Sequence, residues 1–516
     1  METKIFEMSK DGKSEYSVTV VKVGTLTPIE GSDFLAQTYI GDASLVVRKD
    51  QVSEGQVLFY ASNECQINKK FLSINNLFDI GCHELNDNAA EVDELLQKAS
   101  IAHENAKKTD NNEDCEAYFS AEDEYKRQAK AKCGFFSSNG RVRMIRLRKT
   151  PSMGFLFGID EMCKFCPKVK DVNLEDYLNM DFDTVDGELF VKAYIPPVKE
   201  PSKRGDKSVK RNKKLNRFDR MIDGEFSFHY DTAQLGKNIH LIQPTDIVDI
   251  TAKLHGTSVI FSNVLIKKPI KIAIYKRLWN KFVDRFNVFT HTRFTDYVID
   301  YGNVYSSRTV IKNQYINKDV TGGYYGKDIW GEANEVIKPY IDKGMTVYAE
   351  ICGYTGEKMI QKGYDYGCRF GEFFIMPYRI TTKKDNVKRE WTVSEVKEWT
   401  ENLIKEHVEL AEKIHAITLL YHGTFGDLYP NISTTQHWHE NVLQEMMNDK
   451  EHFGMEELEP LCKNKVPREG VVLRIANDPC AEAFKLKCVK FKEREAKAVD
   501  NGEVDIEMNE GYVNNG

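Results

Sequence analysis

The chain has 516 residues, 41% of them hydrophobic and 29% charged, with a net charge of −7. That length exceeds one ordinary core and implies two or three domains. No run approaches the roughly 18 apolar residues a membrane helix needs, and METKIFEMSKDGKSEYS lacks the apolar core of a secretory signal. A cytoplasmic protein (host cytoplasm if viral) with eleven reduced cysteines is therefore expected.

Residues 14–80 read as short strands separated by turn signals: YSVTVVKV, FLAQTYI, ASLVVRK and QVLFYAS. From 82 to 134 the character changes. Residues 82–130 hold thirteen acids against six bases, which accounts for the whole charge excess. Val92, Leu95, Leu96 and Ala99 fall at helical spacing there. This segment is expected to be a helical insertion in a small β-barrel. The strand RVRMIRLRK (141–149) follows, with Arg141, Arg143, Arg146 and Arg148 alternating with apolar residues. It is either a half-buried strand with a solvated basic face or a phosphate-tracking face on an oligonucleotide-binding barrel. Cys163 and Cys166 have zinc-ligand spacing, but no second CxxC follows, so ordinary thiols are expected. His437 and His439 are read as surface or packing histidines. Between Lys203 and Arg217 stand eight bases and one acid, a solvated basic linker or else a polyanion contact.

Beyond Phe226 strands dominate: DIVDITAKL, TSVIFSNVLI, VYSSRTVI, MTVYAEICG, FFIMPYRITT, GVVLRI and AFKLKCVKFK. A mainly helical stretch, 393–460, interrupts them, and the tail after Lys497 is polar. Short motifs recur in order along this half. ITAKLHGTS carries Lys253, His255 and Gly256; SSR carries Arg308; VYAEICG places Glu350 at a strand end. FFIMPYRI holds Phe374 and Tyr378, REGVVLR presents Glu469, and FKLK alternates Lys485 and Lys487 on one strand face.

As a set, residues 250–490 resemble the six motifs of the covalent nucleotidyltransferase superfamily of ligases and capping enzymes. KLHGTS, with histidine where DNA ligases and capping enzymes have aspartate, resembles the RNA-ligase branch. VTVVKVGTLTPIEGSDFLAQTYI, EGQVLFYASNECQINKKFL and RVRMIRLRKTPSMGFLF resemble the N-terminal OB domain of Deinococcus-type nick-sealing RNA ligases. The resemblance implies an α+β chain. An OB-like β-barrel spans 1–175 with the acidic helical insertion at 82–134, and a basic linker spans 176–225. A ligase-type nucleotidyltransferase domain of antiparallel sheets and flanking helices spans 226–516.

It also implies roles. Lys253 attacks the α-phosphorus of ATP and carries AMP, for which it must be neutral, so a depressed pKa is expected. Lys485 and Lys487 meet α-phosphate oxygens. Glu350 and Glu469 bind ribose or organise Mg²⁺ (or Mn²⁺) through water. Arg308 meets the ribose or the substrate phosphate, and His255 matches a family histidine. Tyr378, or else Phe374, stacks on adenine. Ala252 stands where relatives often have an adenine-contacting glutamate. The implied reaction is ATP-dependent joining of an RNA 5′-phosphate to a 3′-OH, at nicks in RNA-containing duplexes, by a monomer without membrane association. The alternatives are a capping guanylyltransferase, a DNA ligase, or an inactive RNA-binding protein. Too few residues follow Lys487 for the trailing barrel of the first two.

Overall fold

The computed structural model describes residues 4–10, 12, 14–109, 111–196, 218–230, 232–286, 294–316, 325, 327–356, 358–385, 387–433, 435, 438–478, 480 and 482–502. The chain divides into two units, Met1–Pro196 and Pro197–Gly516. The basic linker 203–217 and His437 lie outside the described residues.

In the first unit the apolar alternation forms an antiparallel sheet in the order Phe155–Phe157, Val57–Ala61, Val18–Lys22, Asp181–Phe182. Its inner face is aromatic: Phe59 stacks on Phe157 at 5.2 Å and meets Phe182 edge-on at 5.7 Å. A separate sheet joins Thr27–Pro28, Leu35–Ile40 and Ala43–Arg48. Where a barrel was expected, the strands among the described residues pair in separate sheets that do not close on one another. The acidic segment forms two helices, Ala89–Lys108 and Asn112–Ala131, the second capped by Asn111. Buried Ala99, Ala102 and Ala106 on the first helix and buried Ala129 on the second are small side chains that let two helices pack closely. Cys163 and Cys166 are free thiols packed at the Phe71–Phe165 core.

RVRMIRLRK does not form one strand. Arg141 makes an isolated antiparallel bridge with Gln66, and Ile145–Leu147 pairs separately with Thr150–Ser152, across a turn in which Arg148 and Lys149 both have positive φ (47° and 70°). Two consecutive left-handed residues make the tight turn whose twist matches a hairpin. Arg141 is buried and donates to both oxygens of Glu64, at 2.7 and 2.8 Å, with its guanidinium over the Tyr194 ring. Its charge is spent inside the unit, whereas Arg143 and Arg146 lie on the outer side.

The second unit is built on two antiparallel-based sheets. One runs Ala233–Gln234, Phe484–Lys487, Gly470–Ile475, Ile247–Lys253, Leu419–Thr424. The other runs Tyr297–Ser306, Thr257–Pro269, Met345–Thr355, Phe373–Lys384, Val387–Glu390. Period-two alternation sends Val248 and Ile250 into a core with Leu473 and Phe484, leaving Asp249, Thr251 and Lys253 on the opposite face. Thr392 and Glu395 form a reciprocal cap that starts the helix Val393–Glu406.

Two readings of this half are corrected. Leu419–Thr424, placed within the helical stretch, is an edge strand paired with Ile247–Thr251. VKFK, read as the end of a strand, opens the helix Val489–Asp500, because pairing with Gly470–Leu473 stops at Lys487. Among the described residues no helix is long and apolar enough to cross a membrane.

Candidate active site

Three adjacent strands assemble the centre of the site. Lys253 pairs with Gly470, and Gly470 pairs with Lys487. Glu469, one residue before that row, is buried, and its Oε1 lies 2.9 Å from Lys253 Nζ and 3.8 Å from Lys487 Nζ. Gly470 has a φ of +147°, and a Cβ there would sit 2.0 Å from the carbonyl oxygen of Leu486. Only glycine lets the Glu469 turn lie this close to the Lys485–Lys487 strand.

The loop after Lys253 is held from the second sheet. The Gly256 N–H donates to Glu350 Oε1 at 3.0 Å, and the His255 N–H donates to Tyr366 Oη at 2.7 Å. Gln361 Nε2 donates to the Gly256 carbonyl at 2.8 Å. A Cβ at Gly256 would stand 2.3 Å from the Ile351 carbonyl oxygen and 2.8 Å from Glu350 Cγ. Gly256 thus permits the backbone contact that fixes Glu350. The His255 ring meets Tyr364 and Phe491 edge-on, each at 4.9 Å, and its Nδ1 is 3.8 Å from Glu469 Oε2.

Electrostatics bind these groups into one unit. Burial pulls the Lys253 ammonium down, but the attraction of Glu469 and Glu350, with the Glu469 hydrogen bond, outweighs it and holds the lysine above its ordinary value. This reverses the expected depression: with both carboxylates charged, the amine is protonated. Burial raises the Glu469 carboxyl, but Lys253, His255 and Lys487 together hold it below the usual range. Burial lowers His255, so the imidazole is neutral near pH 7. Lys487 also donates to Glu495 at 2.9 and 3.0 Å and lies 5.2 Å from the Phe491 ring centre.

The remaining motif residues fall around this centre unevenly. Lys485 projects from the same strand face as Lys487, half-buried, two residues along. Arg308 is half-buried in the turn that follows Tyr297–Ser306. Phe374 is buried in the core, stacked on His415 at 4.1 Å. Tyr378 sits at a bulge: Arg379 pairs with Tyr348, and Pro377 pairs with Ala349. Its ring meets His229 edge-on at 6.0 Å, and Met376 is the residue opposite Glu350. Elsewhere in this unit, buried Arg474 and half-buried Arg379 share the carboxylate of Glu390 beside a 390 Å³ cavity lined by Tyr230 and Lys388. His439 is not part of the site; its Nε2 lies 3.1 Å from the Ile242 carbonyl oxygen.

Sequence reasoning missed Tyr366, Gln361 and Glu495. Tyr364 and Tyr366 stand in the aromatic-glycine run GYDYG that follows Glu350, a signal that was available. Glu495 lies eight residues after Lys487 on a helix not anticipated there.

Among the described residues no group of three or more His, Cys, Asp or Glu side chains is arranged to hold a metal. Glu469 Oε2 is buried and makes no hydrogen bond, and Glu350 is half-buried nearby through Gly256. That donor set suits a hard divalent cation keeping most of its water.

No protein-family model matches the chain, and no curated protein matches it. Among solved structures, it is similar to the Naegleria gruberi RNA ligase with PPi, at 13% identity and a TM-score of 0.48, covering 93% of this chain and 98% of that one. A mutant of the same ligase with AMP and Mn gives 13% identity and a TM-score of 0.49, over 93% and 99% of the two chains. Another mutant, without ligand, gives 14% and 0.49, over 93% and 98%.

Proposed function

We propose that the second unit is a covalent nucleotidyltransferase with Lys253 as its nucleophile. Within that class we propose an ATP-dependent RNA ligase. The observation that carries the reading is the convergence of Lys253, Glu469, Lys487 and, through Gly256, Glu350 from four separate motifs. A structural lysine needs one carboxylate. Here one lysine touches a carboxylate shared with a second lysine on a neighbouring strand, beside a glycine loop pinned by another carboxylate. The KLHG sequence around it supports RNA over DNA joining.

The Lys253 amine, once it has lost its proton, attacks the α-phosphorus of ATP; a P–N bond forms, the P–O bond to pyrophosphate breaks, and AMP stays on the lysine. The RNA 5′-phosphate then takes AMP from Lys253, and a 3′-OH attacks that activated phosphate and releases AMP. Lys485 and Lys487 lie on one strand face, where two positive charges stabilise the charge developing on the phosphoryl oxygens. His255 and Tyr366 hold the lysine loop in place. A bound Mg²⁺ or Mn²⁺ held by Glu350 and Glu469 would supply positive charge against the phosphates. Arg308 suits ribose or phosphate contact. Tyr378 is the proposed adenine platform, with Phe374 committed to the core. Arg143, Arg146 and Arg148 of the first unit are proposed to contact the RNA backbone, preferably of a nicked duplex.

Incubation with α-labelled ATP or GTP tests this. A labelled, acid-labile protein adduct with ATP and not GTP is expected, followed by sealing of a nicked duplex with an RNA 3′-OH. An adduct with GTP alone would move the chain to the capping class, and no adduct with either would sink the enzyme reading.

A further inference from the structure

The hairpin between Thr257–Pro269 and Tyr297–Ser306 carries a helix, Ile274–Phe286, whose apolar residues face outward. Its inner side is narrow: Asn280 and Val283 are buried, and Asn280 binds the backbone of Phe294 from both amide atoms, at 2.8 and 2.9 Å. By contrast Ile274, Tyr275, Leu278, Trp279 and Phe282 are 68%, 67%, 59%, 43% and 49% exposed. A contiguous apolar surface of this kind on a folded chain marks an interaction site.

Charge narrows the choice of partner. Lys267 to Phe286, through the end of the helix, contains seven basic residues and one acid, Asp284, and Lys271, Arg277 and Lys281 are exposed. The ring geometry narrows it further. Trp279 and Phe282 are stacked, with centroids 5.9 Å apart and planes at 28°. Lys276 Nζ lies 6.0 Å from the Tyr275 ring and 5.2 Å from the Phe294 ring. One near-parallel ring pair, Trp279 and Phe282, beside cations one helical turn apart matches the π-faces and phosphates of an unpaired polynucleotide. A lipid surface makes no use of ring stacking.

We infer that this helix is a docking platform for single-stranded RNA, on which bases stack against Tyr275, Trp279 and Phe282 while Arg277 and Lys281 meet phosphates. The choice of RNA rests on the proposed ligase reading. The thirteen-residue strand Thr257–Pro269 runs from the Gly256 loop to this helix, roughly 40 Å at about 3.3 Å per residue. The platform therefore engages RNA well away from the joining point and takes no part in lysine chemistry.

The test uses the full chain and a fluorescein-labelled oligouridylate lacking a 5′-phosphate, with oligothymidylate and phosphatidylglycerol–phosphatidylcholine vesicles as parallel arms. Trp279→Ala should weaken oligouridylate binding about tenfold, and Arg277→Glu with Lys281→Glu should weaken it and flatten its salt dependence, which needs no change to the apolar face. ATP-dependent adduct formation should be unchanged in both variants. Unchanged oligonucleotide affinity in both would overturn the proposal, as would binding to vesicles that alone responds to the substitutions. Equal loss on oligothymidylate would keep the platform and remove its RNA preference. Failure of the ligase reading shows separately, as wild-type protein that binds oligouridylate through Trp279 but forms no adduct.

Discussion

Lys253 Nζ and Glu469 Oε1 are 2.9 Å apart, and the carboxylate that holds the lysine in place also holds its proton. With both carboxylates charged the Lys253 amine is held protonated, so the proposed attack by it would require the negative charge around it to be offset.

Replacing Lys253 with alanine should abolish the labelled adduct while leaving the protein folded. Peptide mapping of the wild-type adduct is the check, and label on any other lysine would show that the nucleophile is misplaced.

Glu469→Gln should split rate from pH dependence. Without the carboxylate, burial and Lys487 dominate, so the Lys253 amine titrates at lower pH. Single-turnover adduct formation should fall about 10²–10³-fold at its maximum, yet its rise with pH should move to the acid side of the wild-type curve. An unshifted curve would mean that Glu469 does not govern the amine.

The same pair links stability to pH. Lys253 is raised above its ordinary 10.5, so its contribution is complete below that value and is lost as pH climbs through the raised one. Glu469 is depressed below its ordinary 4.5, so its contribution is present above 4.5 and is lost as pH falls through the lowered value. Lys253→Met should therefore cost on the order of 3 kcal/mol near pH 7, with the gap to wild type closing in strong acid. Denaturant titrations at several pH values measure this, and a constant gap down to acid pH would contradict it.

Gly256→Ala should act through Glu350. The added Cβ overlaps the Ile351 carbonyl oxygen and Glu350 Cγ, so overpacking of about 1–3 kcal/mol is expected, with adduct formation reduced more than stability explains. Thermal melting beside adduct assays separates the two, and a fully active variant would free the loop of this constraint.

For the first unit, charge reversal at Arg143 and Arg146 should weaken nicked-duplex binding and make it less salt-sensitive, by roughly 0.9 in the log–log slope per lost phosphate contact. Arg141→Ala should instead destabilise the unit, because it leaves Glu64 without its bidentate partner. A fragment for this comparison should begin at Pro197, so that it keeps Phe218 to Arg220. Phe218–Asp219 pairs with Tyr315–Ile316, and Arg220 donates to the Asn303 and Asn313 carbonyls. If such a fragment seals as well as the full chain, the first unit is not a substrate platform.

The candidate site was legible as an ordered set of motifs only through its resemblance to the covalent nucleotidyltransferases; alternation by itself gave strand faces. Lys253 ends its strand, Glu469 precedes one, and Lys485 and Lys487 share one strand face, whereas Glu350, expected at a strand end, lies in the middle of Met345–Thr355. Alternation in FKLK put both lysines on one side before any pairing was known. What pairing decides is not local. RVRMIRLRK looks like one basic strand, yet Glu64 captures Arg141 and two left-handed residues fold the rest into a hairpin. The bulge at Tyr378 and the edge strand Leu419–Thr424 exist because neighbouring strands set their register. Sequence also could not give the sign of the Lys253 shift. Burial and nearby charge push a lysine in opposite directions, and only the distances to Glu469, Glu350 and Lys487 decide which prevails.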